Sequence, residues 1–151
     1  MKAHYRLYKE TDINTVASNM CEADVTELSL SDGLNPLAAL QRACEKSHEV
    51  NTMVSPSGEL LGMFGLSFID EQIGSPWMLS TGKLNKYYIQ FLRSSHNWVI
   101  EANNKRNLLV NYVHVENKLA IKWLQFLGFS FLRELQYGKS KAPFYEFVRI
   151  K

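Results

Sequence analysis

The sequence lacks any run of eighteen apolar residues free of charge, so no stretch of it reads as a membrane-spanning helix. Thiols are scarce as well. Cys21 and Cys44 are the two cysteines, each within a segment of helical character and without Cys-x-x-Cys spacing, so reduced side chains acting as small hydrophobes are expected. An excess of one charge is missing: 17 basic residues against 15 acidic ones leave +2, which gives no general field for nucleic acid or an acidic membrane. Zinc spacing, a Walker loop, a Ser-His-Asp arrangement and a Rossmann fingerprint are also absent, and no metal is expected. The first residues, Met-Lys-Ala-His-Tyr-Arg-Leu, contain no apolar signal region, so the expected location is a cytoplasm or a particle interior and not the secretory route.

What is present is enough apolar content, 46% over 151 residues, to close one core, and the expectation is one domain over residues 1–151. Residues 4–8 alternate as a short strand. Thr11-Asp12 reads as the N-cap of a helix carrying Ile13, Val16, Ala17 and Met20 on one stripe, and a polar stretch follows. Asn35-Pro36 opens a second helix that runs to about Lys46. Val50–Val54 and Leu60–Ile69, separated by Ser-Pro-Ser-Gly-Glu, read as a hairpin. A turn around Gly74-Ser75-Pro76 leads to a short strand, Trp77–Ser80, and a long helix is expected from Gly82 towards Asn103.

Leu108–Glu116 reads as a strand and Asn117 as the cap of a helix with Ala120, Trp123, Leu124 and Leu127 on one face. Gly128 has the form of a C′ glycine. Phe129–Leu132 and Pro143–Ile150 are the last two strands, with a polar loop between them. The order β-α-α-β-β-β-α-β-α-β-β predicts an α+β sandwich, a sheet covered by helices on both faces.

The stretch from Val115 to Phe129 resembles the fifth strand and following helix of the GNAT N-acetyltransferases: Asn117, Ala120 three residues on, then Gly128 and Phe129. Segments around Trp77–Thr81, Asn111–Val113, Ile121–Leu124 and Phe144–Arg149 are similar to a branch of small GNAT-like proteins encoded by tailed bacteriophages. The resemblance implies a mostly antiparallel twisted sheet whose fourth and fifth strands splay apart, with acetyl-CoA lying in the gap. It also implies two contrasting roles: a catalytically degenerate component of virion assembly in contact with phage or host proteins, or an active acetyl-CoA-dependent acetyltransferase.

In such a fold a glycine-rich loop seats the cofactor's diphosphate at the start of the long helix. Here the matching segment, Ser80-Thr81-Gly82-Lys83-Leu84-Asn85-Lys86, has one glycine. Ser80, Thr81, Gly82, Lys83, Lys86 and Asn117 are the cofactor-binding candidates; equally, Thr81 fits a helix cap and the lysines fit a solvated face. The resemblance places a tyrosine acid seven residues after Asn117, where this sequence has Leu124. That departure points to weak or absent acetyl-CoA chemistry.

His114 and Glu116, two apart on the expected strand, share a face and are candidate bases, with Tyr112 or Tyr145 as candidate proton donors. A polar pair at a strand end serves structure equally well. Asp70 and Glu71 fit turn chemistry. Tyr87, Tyr88, Phe91, Trp98, Trp123 and Phe126 read as core; of these, Tyr87 and Phe126 fall off the main stripe and fit a protein-binding face as the alternative. A homodimer through the C-terminal strands, with Phe144–Arg149 as the pairing edge, is the expected assembly if there is one.

Overall fold

The computed structural model describes residues 3–151. In chain order its elements are β1 (His4–Leu7), α1 (Glu10–Ser18), α2 (Glu22–Ser31), α3 (Pro36–Lys46), β2 (Glu49–Val54), β3 (Leu60–Phe68) and β4 (Ile73–Ser80). A 3-10 segment (Gly82–Tyr87) leads into α4 (Tyr88–Lys105), followed by β5 (Leu108–His114), α5 (Lys118–Phe126), β6 (Ser130–Tyr137) and β7 (Ala142–Ile150). The seven strands form one sheet in the order β1-β2-β3-β4-β5-β7-β6, antiparallel except for the β4–β5 pair.

The sheet has a hydrophobic layer on each face. Ile13 and Val16 of α1 and Leu40 of α3 close over Val50 and Met63 on one side. On the other, Trp98, Val99 and Ala102 of α4 and Trp123 of α5 cover Phe64, Leu66, Leu109 and Val113. These are the stripes that helical spacing marks in the sequence. Asn35 caps α3 by accepting the Ala38 N–H at 2.8 Å, and Gly128 has φ +86, as a C′ glycine requires.

Besides the 3-10 opening of the long helix and a β6 that runs on to Tyr137, four features differ from the sequence reading, each for a physical reason. Helix α1 starts at Glu10, and Asp12 sits inside its first turn, where its buried carboxylate accepts the Lys9 N–H and an N–H from each terminal guanidinium nitrogen of Arg6. The polar stretch after α1 is a helix, α2, and none of its residues is fully buried, so no apolar stripe announces it. Strand β4 extends back through Gly74-Ser75-Pro76, which reads locally as a turn. Pro76 is tolerated because its backbone is turned towards β5, where the strands part and no ladder bond is lost. Finally, β7 lies between β5 and β6, so Phe144–Arg149 is not a sheet edge; the edges are β1 and β6.

Candidate functional site between β4 and β5

Strands β4 and β5 pair only at Ile73–Leu108 and Gly74–Leu109, then separate. Which backbone groups face the gap follows from the ladders. Thr81 donates its N–H to Leu61 O, and Thr81 lies opposite Leu61 in the β3–β4 register, so alternate residues Ser75, Trp77 and Leu79 also pair with β3. Gly74, Pro76, Met78 and Ser80 therefore turn their backbone groups towards β5. On β5, Val115 N donates to Pro143 O and Lys151 N to Asn107 O across the β7 ladder. That leaves Val110, Tyr112 and His114 facing β4.

Asn111 closes the apex of this wedge, donating to Pro76 O at 2.7 Å and accepting the Tyr112 N–H at 2.8 Å. At the open end α2 lies across both strands. Asp24 accepts the Ser80 N–H at 2.8 Å and its hydroxyl at 3.2 Å. Glu27, one helical turn on, accepts the His114 N–H at 2.7 Å and the Asn117 side-chain N–H at 3.4 Å through the same oxygen. The N-terminus of α2 adds an isolated bridge, Met20 opposite Thr81, and Cys21 donates its N–H to Ser80 O at 2.9 Å.

A cavity of about 530 Å³ runs through the wedge. Asp24, Glu27, Met78, Tyr112, Trp123 and Tyr137 are among its walls. The indole Nε1 of Trp123 is buried without an acceptor. Burial pushes the Glu27 carboxyl up to about 7, against the pull of the His114 N–H, and the neighbouring Asp24 adds to the rise. Burial likewise raises Asp24, opposed by the Ser80 N–H. Neither carboxylate has a salt-bridge partner among the described residues.

The residues singled out from the sequence are distributed unevenly around this site. Ser80, Thr81, Tyr112 and Asn117 line the cavity; His114 and Glu116 do not. Strand β5 ends at His114, so Glu116 is not on the strand and does not share its face; its N–H donates to His114 Nδ1 at 3.3 Å in the turn that follows. Tyr112 donates to Glu146 at 3.0 Å and stacks on Tyr137, and burial, reinforced by Glu146, raises its pKa above the ordinary phenol value. Thr81 is not a side-chain cap, because its hydroxyl lies 3.2 Å from Leu60 O and from Leu61 O and donates back into β3.

The remaining candidates sit at the rim or outside it. Gly82 has open space where a Cβ would stand. Lys83 is paired with Glu59 at 2.5 Å, and Lys86 lies over the Tyr87 ring. Asn117, in the cavity wall, also caps α5, accepting from Ala120 N at 3.4 Å. Asp70 serves its turn, accepting the N–H groups of Gln72 and Ile73 at 2.8 Å. Of the off-stripe aromatics, Phe126 is exposed whereas Tyr87 packs against the core.

The two residues that sequence reasoning missed are Asp24 and Glu27. Their three-residue spacing places them on one helical face, but only the strands opposite give that face a meaning.

No protein-family model and no curated protein sequence matches the chain. Comparison of structures does find matches. Ard1 from Thermoplasma volcanium superposes with a TM-score of 0.74 at 14% identity, covering 99% of this chain and 98% of that one. A GNAT-family acetyltransferase from Bacillus anthracis gives 0.73 at 10% identity, with 99% and 95% covered. Spermidine N-acetyltransferase from Vibrio cholerae, in complex with CoA and spermine, gives 0.71 at 12% identity over the same shares. The chain has the GNAT acyltransferase fold. The sheet with parted strands β4 and β5 and helices on both faces is thus the arrangement that Asn117, Ala120, Gly128 and Phe129 pointed to. No helix among the described residues is long and apolar enough to cross a membrane.

Proposed function

We propose that this chain is an acetyl-CoA-dependent N-acetyltransferase whose cofactor arm lies in the wedge between β4 and β5. One observation carries the reading: Met78 and Ser80 turn backbone donors and acceptors towards a strand that has moved away, beside a cavity of about 530 Å³, and those of Ser80 are met, among the described residues, only by Asp24 and the Cys21 N–H from the α2 segment. Polar backbone groups at such an edge need partners, and an extended arm with amide groups supplies them. The fit is good along β4 and thinner at the rim, where Gly82 gives clearance and Lys83 and Lys86 supply the only nearby positive charge for a diphosphate among Ser80–Lys86.

Bound coenzyme A would supply the acetyl group as a thioester. The chain's own part is to hold it against the Ser80 N–H and to take a proton from the acceptor amine. Glu27 is placed to take that proton, since it lines the cavity, and a carboxyl pushed up to about 7 is well matched to neutral pH. Its other oxygen, Oε2, makes no hydrogen bond among the described residues, while Oε1 is held by His114 and Asn117. Leu124 has no proton to give a departing thiolate, and with a thiol pKa near 8.5 that omission lowers the rate without abolishing the reaction.

Calorimetry with acetyl-CoA, followed by free-thiol release in the presence of primary amines, tests the reading. Binding at micromolar concentration and amine-dependent thiol release are expected. No heat and no thermal shift at millimolar acetyl-CoA would overturn it, since a ligand that binds the folded state must stabilise it. That result would favour the second reading, a non-catalytic role in a phage particle, which rests on the sequence resemblance, Leu124 and the single glycine of the rim.

A further inference from the structure

The same strand groups that would hold the cofactor are already satisfied from within the chain. Ser80 turns both its N–H and its C=O towards the wedge; Asp24 takes the first and the Cys21 N–H takes the second. The outermost donor of β5, His114 N, is taken by Glu27. Two carboxylates one turn apart on a single helix thus bridge the mouth of a gap that the strands themselves leave open.

Helix α2 is attached in a way that suits release. None of its residues is fully buried, so no apolar side chain anchors it deep in the sheet. Its N-terminal half is held by hydrogen bonds from β4 and β5, which another set of amides and carbonyls can replace. Its C-terminal end is pinned elsewhere: Lys139 N donates to Ser31 O at 2.8 Å, Ser140 Oγ donates to Leu30 O, and Gly138, at φ +75, lies so close that a Cβ would meet Ser31 O. The closed position also gathers two carboxylates without a cation, which opposes their charged forms and makes the closure easier to break.

We propose that the N-terminal turn of α2 is a built-in latch on β4: in the closed form Asp24 and the Cys21 N–H occupy the Ser80 backbone groups, and that turn swings about the pinned C-terminal half of α2 to admit the cofactor, while Glu27 stays on His114. This rests on the acyl-CoA reading above. The helix is therefore an internal competitor, and the affinity for acetyl-CoA is lowered by the fraction of molecules that are closed.

The Cys21 Sγ and Ser80 Oγ atoms are 3.6 Å apart, which provides a reversible test. In a Cys44→Ala background, Ser80→Cys places a thiol opposite Cys21. Oxidation with diamide, seen as the loss of two hydrogens in the intact mass, ties α2 to β4. The reduced protein should bind acetyl-CoA and the oxidised protein should bind about tenfold or more weakly, with a melting transition showing that it remains folded. Asp24→Ala should bind at least about tenfold tighter than the native chain.

Hydrogen exchange of the native chain provides a second route that needs no bond to form. Added acetyl-CoA should speed exchange over Cys21–Val25 while slowing it at Met78 and Ser80. Equal affinity of the oxidised and reduced forms, or protection of α2 by the ligand, overturns the latch and leaves the acyl-CoA reading standing. Absence of binding by every form, the Asp24→Ala variant included, overturns the acyl-CoA reading itself and the latch with it.

Discussion

Asp24 and Ser80, 56 residues apart in sequence, meet at the free edge of β4, where the Asp24 carboxylate accepts both the N–H and the hydroxyl of Ser80. Together with Glu27 on His114, this contact places two half-buried carboxylates where no positive charge among the described residues forms an ion pair with them. Burial raises both pKa values in the folded state.

The sign of the pH effect on stability follows. A carboxyl whose folded pKa is raised stabilises the protein most below its unfolded value, and that contribution is lost as the pH rises through the folded pKa. For Glu27 the window runs from the ordinary value of 4.5 to about 7, and the loss is on the order of 2 kcal/mol after allowance for its partial exposure. Glu27→Gln should therefore be close to neutral at pH 4 and should raise the melting temperature at pH 8. Thermal denaturation of both proteins across this range checks it; equal melting temperatures at pH 8 would count against the assignment.

The same group governs the proposed reaction. Acetyl transfer should rise with pH and level off above about 7, as Glu27 becomes able to accept a proton. Glu27→Gln should lower kcat by about 10²- to 10⁴-fold and remove the acidic limb of the profile. His114→Ala should leave that limb in place, because the imidazole does not line the cavity. Steady-state rates against pH for the three proteins distinguish these roles.

Asp12 is expected to behave in the opposite sense. Burial pushes its pKa up, but hydrogen bonds from Arg6, Lys9 N and Thr52 together win and hold the carboxyl below its ordinary value. Its contribution is present above the unfolded carboxylate value, about 4, and disappears as the pH falls through the folded one. Asp12→Ala leaves Thr52 and the Lys9 N–H without their acceptor and should cost about 3 kcal/mol at pH 7. Urea unfolding at pH 7 and pH 3 should show the difference shrinking in acid.

Lys83 is held by Glu59 on the exposed rim. Glu59→Ala should free the ammonium for an anionic ligand and tighten acetyl-CoA binding by about two- to fivefold at low salt, an advantage that fades at high ionic strength. Lys83→Ala with Lys86→Ala should weaken binding under the same conditions. Calorimetry at two salt concentrations reads both effects, and salt-independent affinities would show that neither lysine meets the phosphates.

Most of the framework is legible from local patterns. The stripes of α1, α3, α4 and α5 bury their apolar faces as their spacing requires, and Asn35, Asn117 and Gly128 act where their chemistry puts them. Local chemistry places the turn after Phe68 too far along, because Gly74-Ser75-Pro76 has the residues of a turn, and only the parted β5 shows why a proline is harmless there. A period of two puts His114 and Glu116 on one face, and that period holds only as far as the strand does.

The sequence by itself determined the layers of this protein, because burying an apolar stripe is a local demand with one general solution. The site was decided by tertiary structure. Helix α2 buries no side chain fully, so its place follows from polar contacts with Ser80, His114 and the turn at Gly138. Those partners lie up to 110 residues away along the chain, as from Leu30 to Ser140, and hydrogen bonds across such separations leave no periodic trace for a sequence to show.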